Sequence, residues 1–261
     1  LGEAAVVPDY RQVRFDRAHA QVDELPGRNH LNTYNAWSVL QEVERILGLW
    51  KPGPEDYWTV KGRLQCPYRR LVFADTPETF QAVCAGLDAA LRDGFARADH
   101  FIFTFGMTEI FVNRATGKVA NQKPDYFAGG GRAETDFHQA SFAENLAAME
   151  RIVDLITAEK PKALIYVTVS PVPLQRTFSG QDIVVANTMS KSTLRAALGQ
   201  LAVNRRNVRY FPSYEMVMAA GAEAWEADGR HVRRPLVETI TSGFVAANFV
   251  AEGQGADVKA P

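Results

Sequence analysis

Cysteine is nearly missing from this 261-residue chain. Cys66 and Cys84 are the only two, and they form neither a CxxC pair nor a disulfide framework. That usage suits a reducing compartment, so a cytoplasmic location is expected. Long apolar runs are also lacking. Stretches such as Phe101–Phe105 and Ile183–Ala186 fall far short of the roughly 20 residues that cross a bilayer, and no membrane partner is expected. An excess of one charge is absent too, because 29 Lys and Arg face 30 Asp and Glu for a formal net charge of −1. No global field therefore steers the protein toward nucleic acid. No repeat, heptad seam or low-complexity block appears. No signal peptide is visible, yet the first residue is Leu1 rather than Met. Such a start reads as the middle of a longer polypeptide, with room for a lost targeting segment.

Cofactor and metal motifs are missing as well. Gly129-Gly130-Gly131 lacks both the Lys-Ser/Thr of a phosphate-binding loop and the GxGxxG spacing of a dinucleotide site, so it reads as a flexible loop. His19, His30, His100 and His138 are scattered without ligand spacing, which argues against zinc. Neither a cofactor nor a metal is expected.

What is present is an ordinary globular mixture, 46% hydrophobic and 23% charged, long enough for a sizeable core. Residues 1–261 read as one domain. Thr76 and Pro77 open a helix whose Phe80, Val83, Leu87, Leu91 and Phe95 form one apolar stripe to about Ala98. Ser141 and Glu144 form a capping box at the head of a second helix, carrying Phe142, Leu146, Met149, Val153 and Ile156. Shorter helical patterns cover about Trp37–Leu47, Thr188–Val203, Tyr214–Ala220 and Pro235–Val250. Between helices lie three strand-length apolar runs, Phe101–Phe105, Ala163–Val169 and Val208–Phe211. Their alternation with helices predicts an α/β fold, a mostly parallel sheet with helices on both faces. Lys51–Asp75 and Asn121–Phe137 read as polar excursions from that core.

In such folds chemistry gathers at the carboxyl ends of the strands. Asp228-Gly229-Arg230-His231 follows the last strand and precedes the last helix. A carboxylate three residues before a histidine on a turn can hold Nδ1–H and leave Nε2 free as a general base. The plainer reading is an exposed turn with an incidental ion pair. Gly106-Met107-Thr108-Glu109 ends the first run. The Gly106 N–H could face an oxyanion, and Thr108 and Glu109 could orient substrate. A strand-ending turn capped by Thr108 would look the same. Ser170 also sits at a strand end, but Pro171 follows, so it is a turn serine rather than a nucleophile elbow. Ser190-Lys191 has the residues of serine–lysine catalysis inside a helical pattern, and reads as helix surface or substrate rim.

Together these stretches resemble the GSCFA family, a mainly bacterial group similar to the SGNH hydrolases. The resemblance is carried by Phe103–Phe111, Val167–Leu174, Val185–Arg195, Tyr210–Glu215 and Asp228–His231, in that order, and runs from about Asn29 to Phe249. It implies a three-layer flavodoxin-like sheet, with His231 as base and Asp228 as its orienting partner. Gly106, Thr108 and Glu109 then occupy the third family block. Asn32-Thr33-Tyr34 falls in the second block, where Leu31 stands in place of the usual glycine, and Asn32 with Gly106 and Thr108 is then expected to hold the oxyanion. The family's Gly-Ser-Cys-Phe-Ala block, with its nucleophilic serine, has no counterpart here. Leu1–Val7 resembles the end of the helix that follows it, so the serine is expected upstream of residue 1.

The function implied is hydrolysis or transfer of an acyl ester on a glycan or similar hydroxylated small molecule, through a Ser-His-Asp mechanism. The rival expectation is an SGNH-like module that binds carbohydrate or protein without turnover.

Overall fold

The computed structural model describes residues 32–60, 62–70, 72–121 and 135–249. Leu1–Val7, Leu31 and the triple glycine lie outside them. Six α-helices and nine strands are found among the described residues, in three small sheets.

The sheet that organises the site is parallel, with β4 (His100–Phe105), β8 (Leu164–Val169) and β9 (Val208–Tyr210) in the order β4-β8-β9. Its register runs from His100 opposite Leu164 to Phe105 opposite Val169, and from Ile165 opposite Val208 to Val167 opposite Tyr210. The central strand is apolar on both sides because both sides are covered. Ile165, Val167 and Val169 are buried in a cluster with α1 (Ala36–Ile46), α3 (Phe142–Glu159) and α4 (Ile183–Asn204). Tyr166 instead meets Phe244 of α6 (Arg234–Asn248) edge-on, with ring centroids 5.0 Å apart. Full burial of each such aliphatic side chain is worth about 1.5–3 kcal/mol.

Capping places the helices as the residue types demand. The Thr76 hydroxyl accepts the N–H of Thr79 at the head of α2 (Pro77–Arg97). Ser141 and Glu144 complete their capping box on α3. Asp182 caps α4 through the N–H of Val184, starting that helix five residues before the position expected from periodicity. The short α5 (Ser213–Ala219) follows β9 directly.

Two expectations need correction. Among the described residues the mixture of helices and sheets fits the expected α/β class, but the sheet material is not mostly parallel, since two of the three sheets are antiparallel. One joins β5 (Glu109–Asn113), β6 (Val119–Ala120) and β7 (Thr135–Gln139) in the order β6-β5-β7. The stretch after Phe105 is thus a short turn into a new strand. The stretch from Lys51 to Asp75 is also more than an excursion. It forms the antiparallel sheet β1 (Trp58–Val60), β2 (Arg63–Gln65) and β3 (Phe73–Ala74). Beside that sheet, Cys66, Tyr68, Val72 and Ala74 pack on Phe80, Val83 and Leu87 of α2 as a second core. Among the described residues no helix is long and apolar enough to cross a membrane.

Candidate active site at the carboxyl edge of the parallel sheet

The loops after β4 and β8 leave the sheet side by side, because the Ser170 N–H donates to the Phe105 carbonyl at 2.8 Å. Across the end of β4 lies the segment just before α1. The Gly106 and Met107 N–H groups both donate to the Tyr34 carbonyl at 3.0 Å. Asn121 holds that segment in place: its Oδ1 accepts the Tyr34 N–H at 3.2 Å and its Nδ2 donates to the Asn32 carbonyl at 2.6 Å. Asn32 and Tyr34 are therefore brought to the strand end. The Gly106 N–H, expected to face an oxyanion, is instead engaged by Tyr34.

Beneath these loops runs a buried polar layer. Thr108 and Glu109 are 0% and 1% exposed, so neither lies open to a substrate. The Thr108 N–H donates to the Ser190 hydroxyl at 3.0 Å, and Gln139 Nε2 donates to the Thr108 hydroxyl at 2.6 Å. Glu109 accepts the hydroxyl of Thr177 and, at 3.0 Å, the N–H of Phe178, fixing the loop that leads into α4. Burial of such groups is tolerated only because each is hydrogen-bonded.

Ser190 and Lys191 do not form a helix surface or rim. They are 1% and 2% exposed on the inward face of α4. Lys191 Nζ donates to the Gly106 carbonyl at 2.7 Å and to the Val172 carbonyl at 2.8 Å, so one ammonium ties the β4 loop to the β8 loop. Burial alone pulls its pKa down to about 7.

The Asp228–His231 turn is tied to the β8 loop, which Lys191 also holds. Trp225 and Val232 bridge antiparallel at its base, and Gly229 takes the positive φ of 67° that the turn requires. Asp228 Oδ1 accepts the N–H groups of Arg230 at 2.9 Å and His231 at 3.0 Å, while Oδ2 pairs with His231 Nδ1. The two backbone N–H bonds, followed by the imidazole, hold the Asp228 carboxyl well below the usual carboxylate range. The turn is moored to the β8 loop by Arg230, which donates to the Pro173 carbonyl at 3.3 Å. The same loop gives Val172 to Lys191 and the Leu174 N–H to Asn187 Oδ1 at 3.0 Å. Both side chains of the dyad are open, His231 at 65% and Asp228 at 47% exposure.

A second His–carboxylate pair escaped the sequence reading. His138 Nε2 meets Glu144 Oε1 at 2.8 Å where β7 turns into α3. Glu144 is committed first to Ser141, whose hydroxyl and N–H bring its carboxyl down to about 2, with His138 adding to them. That pair is a helix cap with a histidine attached. Also missed were Asn121, Gln139, Thr177 and Arg230, which position the loops, and Asn35. The Asn35 Oδ1 caps α1 through the Ser38 N–H at 2.8 Å, leaving its buried Nδ2 without a partner among the described residues. The signal for Ser190 was available: with Leu194, Ala197 and Leu201 it lies on one face of a 3.6-residue repeat. Among the described residues no group of three or more His, Cys, Asp or Glu could hold a metal ion.

A search of curated proteins found no match. The profile of the GSCFA family matches residues 11–244, which takes in the strand-end loops, the Lys191 clamp and the Asp228–His231 turn alike. With nearly the whole chain aligned, the protein belongs to the GSCFA family.

Proposed function

We propose that this chain forms most of an acyl-ester hydrolase or O-acyltransferase with a three-layer, flavodoxin-like SGNH architecture. The substrate is a glycan or similar hydroxylated small molecule; nucleic acid and membrane play no part, and the setting is cytoplasmic. The observation that carries the reading is the Asp228–His231 pair, with the carboxylate on Nδ1, on a turn moored to the loop that leaves β8. A carboxylate on Nδ1 fixes the tautomer in which Nε2 is the free, basic nitrogen. In the proposed reaction a serine carried upstream of Leu1 attacks the acyl carbonyl. His231 Nε2 takes the serine proton and returns it to the leaving alcohol, and water or an acceptor hydroxyl then releases the acyl group. Asp228 stabilises the imidazolium that forms and does not itself take up the proton.

The oxyanion side of the proposal keeps only part of the set first expected, Asn32, Gly106 and Thr108. Gly106 and Thr108 N–H groups already have acceptors. Of the expected groups, Asn32 is the one exposed at the strand end, and the proposal keeps it as the residue that faces the oxyanion.

The second reading, a non-catalytic carbohydrate- or protein-binding module, draws support from one observation. His231 and Asp228 are more open to solvent than a working dyad needs to be. Acetate release from an aryl acetate, and then from acetylated glycans, by protein that includes the upstream sequence separates the two. Turnover that disappears in His231→Ala supports the enzyme. Saturable glycan binding without turnover in the intact protein overturns it.

A further inference from the structure

The second core holds a group of side chains that the acyl-transfer reading does not use. Cys66 follows β2, where its N–H donates to the Val72 carbonyl at 2.9 Å. Cys84 lies on the buried face of α2, one turn beyond Phe80. The two are 18 positions apart in sequence (84 − 66), yet the fold sets them in one cluster, at 0% and 5% exposure. The two thiols lie close enough within that cluster to act on each other's ionisation.

Charged groups surround this pair. Arg69 is fully buried; its Nη1 donates to the Cys84 carbonyl at 3.4 Å, and its Nη2 reaches Asp88 at 2.7 Å and pairs with Glu42. Arg45 meets Asp88 at 2.7 Å. Burial opposes ionisation of Cys66. Cys84 beside it, together with the Arg45 and Arg69 guanidiniums, outweighs burial and draws the Cys66 thiol down, while Cys84 is pushed up.

We propose that Cys66 and Cys84 are a redox pair which a peroxide or a small-molecule disulfide closes into an intramolecular bond, linking the β2–β3 corner to α2. With hydrogen peroxide, the Cys66 thiolate attacks one oxygen and the O–O bond breaks. The departing hydroxide takes a proton and leaves as water, and Cys66 is left as a sulfenic acid. The Cys84 sulfur then attacks the Cys66 sulfur. The S–S bond forms, the S–O bond breaks, and hydroxide departs with the Cys84 proton as water. Two thiols lose two electrons and two protons, and one peroxide becomes two waters. Placement of both thiols in one small buried cluster favours this second step over further oxidation of Cys66. Their burial makes opening of the small β1-β2-β3 sheet the gate for the oxidant.

The test treats the reduced, folded chain with hydrogen peroxide and, separately, with oxidised glutathione, then unfolds, alkylates and maps it by mass spectrometry. The expected product is a peptide linking Cys66 to Cys84, lighter by two hydrogens and reversed by dithiothreitol. The oxidised protein melts roughly 5–10 °C higher, as closure of a loop of this size implies. Cys66→Ser and Cys84→Ser each abolish the linked peptide, with melting of the reduced variants showing that both still fold. The proposal is overturned if both thiols remain alkylatable. It is equally overturned by a stable sulfinic acid or glutathione adduct at Cys66, by crosslinks between chains, or by a disulfide that lowers the melting temperature.

Discussion

At the scale of single residues, the chemistry proposed here turns on which nitrogen of His231 is free. Asp228 occupies Nδ1 and is itself held by two backbone N–H groups, so the pair is fixed from the carboxylate side. His231→Ala should lower kcat by about 10³–10⁶-fold in protein carrying the upstream segment, with circular dichroism unchanged. Asp228→Asn should also be severe, because an amide favours the wrong tautomer. Ser170→Ala should cost far less, since that serine sits in a turn followed by Pro171 and its N–H serves the sheet. Equal loss for Ser170→Ala and little for His231→Ala would move the chemistry to the other loop. The depressed Asp228 carboxyl adds a pH expectation. It stays ionised as pH falls until well below the usual carboxylate range, so the acid limb of the rate profile should not follow its titration. The Asp228–His231 motif was legible in the sequence because its two members are local. The buried layer was not, because Thr108, Glu109, Ser190 and Lys191 meet partners 19 to 85 positions away.

At the scale of elements, the clamp between the two strand-end loops is one side chain of α4. Removing the Lys191 ammonium leaves the Gly106 and Val172 carbonyls without that donor, so Lys191→Met should destabilise the fold by about 1–3 kcal/mol in urea titration. The pH dependence has a definite sign. Folding lowers the Lys191 pKa from its usual 10.5 to about 7. Between these values the unfolded chain holds a proton that the folded chain has released, so raising the pH favours the folded state. The wild type should therefore gain on Lys191→Met by about 1 kcal/mol per pH unit above pH 7, fading as the usual lysine range is reached. A stability difference that is flat from pH 6 to 9 would show that the amine keeps its charge. Elements explain what sequence reading reached and what it missed. Helices α2 and α3 announce themselves through caps and a long apolar stripe. Strands of two to five residues offer no such period, and β5 pairs with β7 across an insertion of more than twenty residues. The sequence around Glu109 therefore looks like the end of a turn, although β5 begins there.

At the scale of the whole molecule, the parallel sheet carries an asymmetry that the proposed function explains. β8 is paired on both sides and β9 packs beneath α4, while β4 pairs only with β8 among the described residues. In the β4–β8 register, Asp99 and Phe105 present their carbonyls to β8. Alternate residues in a parallel strand face opposite neighbours, so the amides of Phe101, Phe103 and Phe105 point to β8. Those of His100, Ile102 and Thr104 point to the other edge, on a strand that is mostly apolar yet only partly buried. An edge of that kind is a template for another strand. In the proposed enzyme that strand lies upstream of Leu1, pairs with this edge of β4 and ends in the turn bearing the nucleophilic serine. Hydrogen exchange gives a direct reading. In residues 1–261 alone, the amides of Ile102 and Thr104 should exchange well ahead of those of Phe103 and Phe105. In protein that includes the upstream sequence, the two sets should be protected alike. Serine-to-alanine replacement in the added turn should abolish esterase activity while leaving that protection intact. Full protection of Ile102 in the 261-residue chain would mean that the edge is already occupied from within. The serine would then have to come from elsewhere, and the catalytic reading would fail with it.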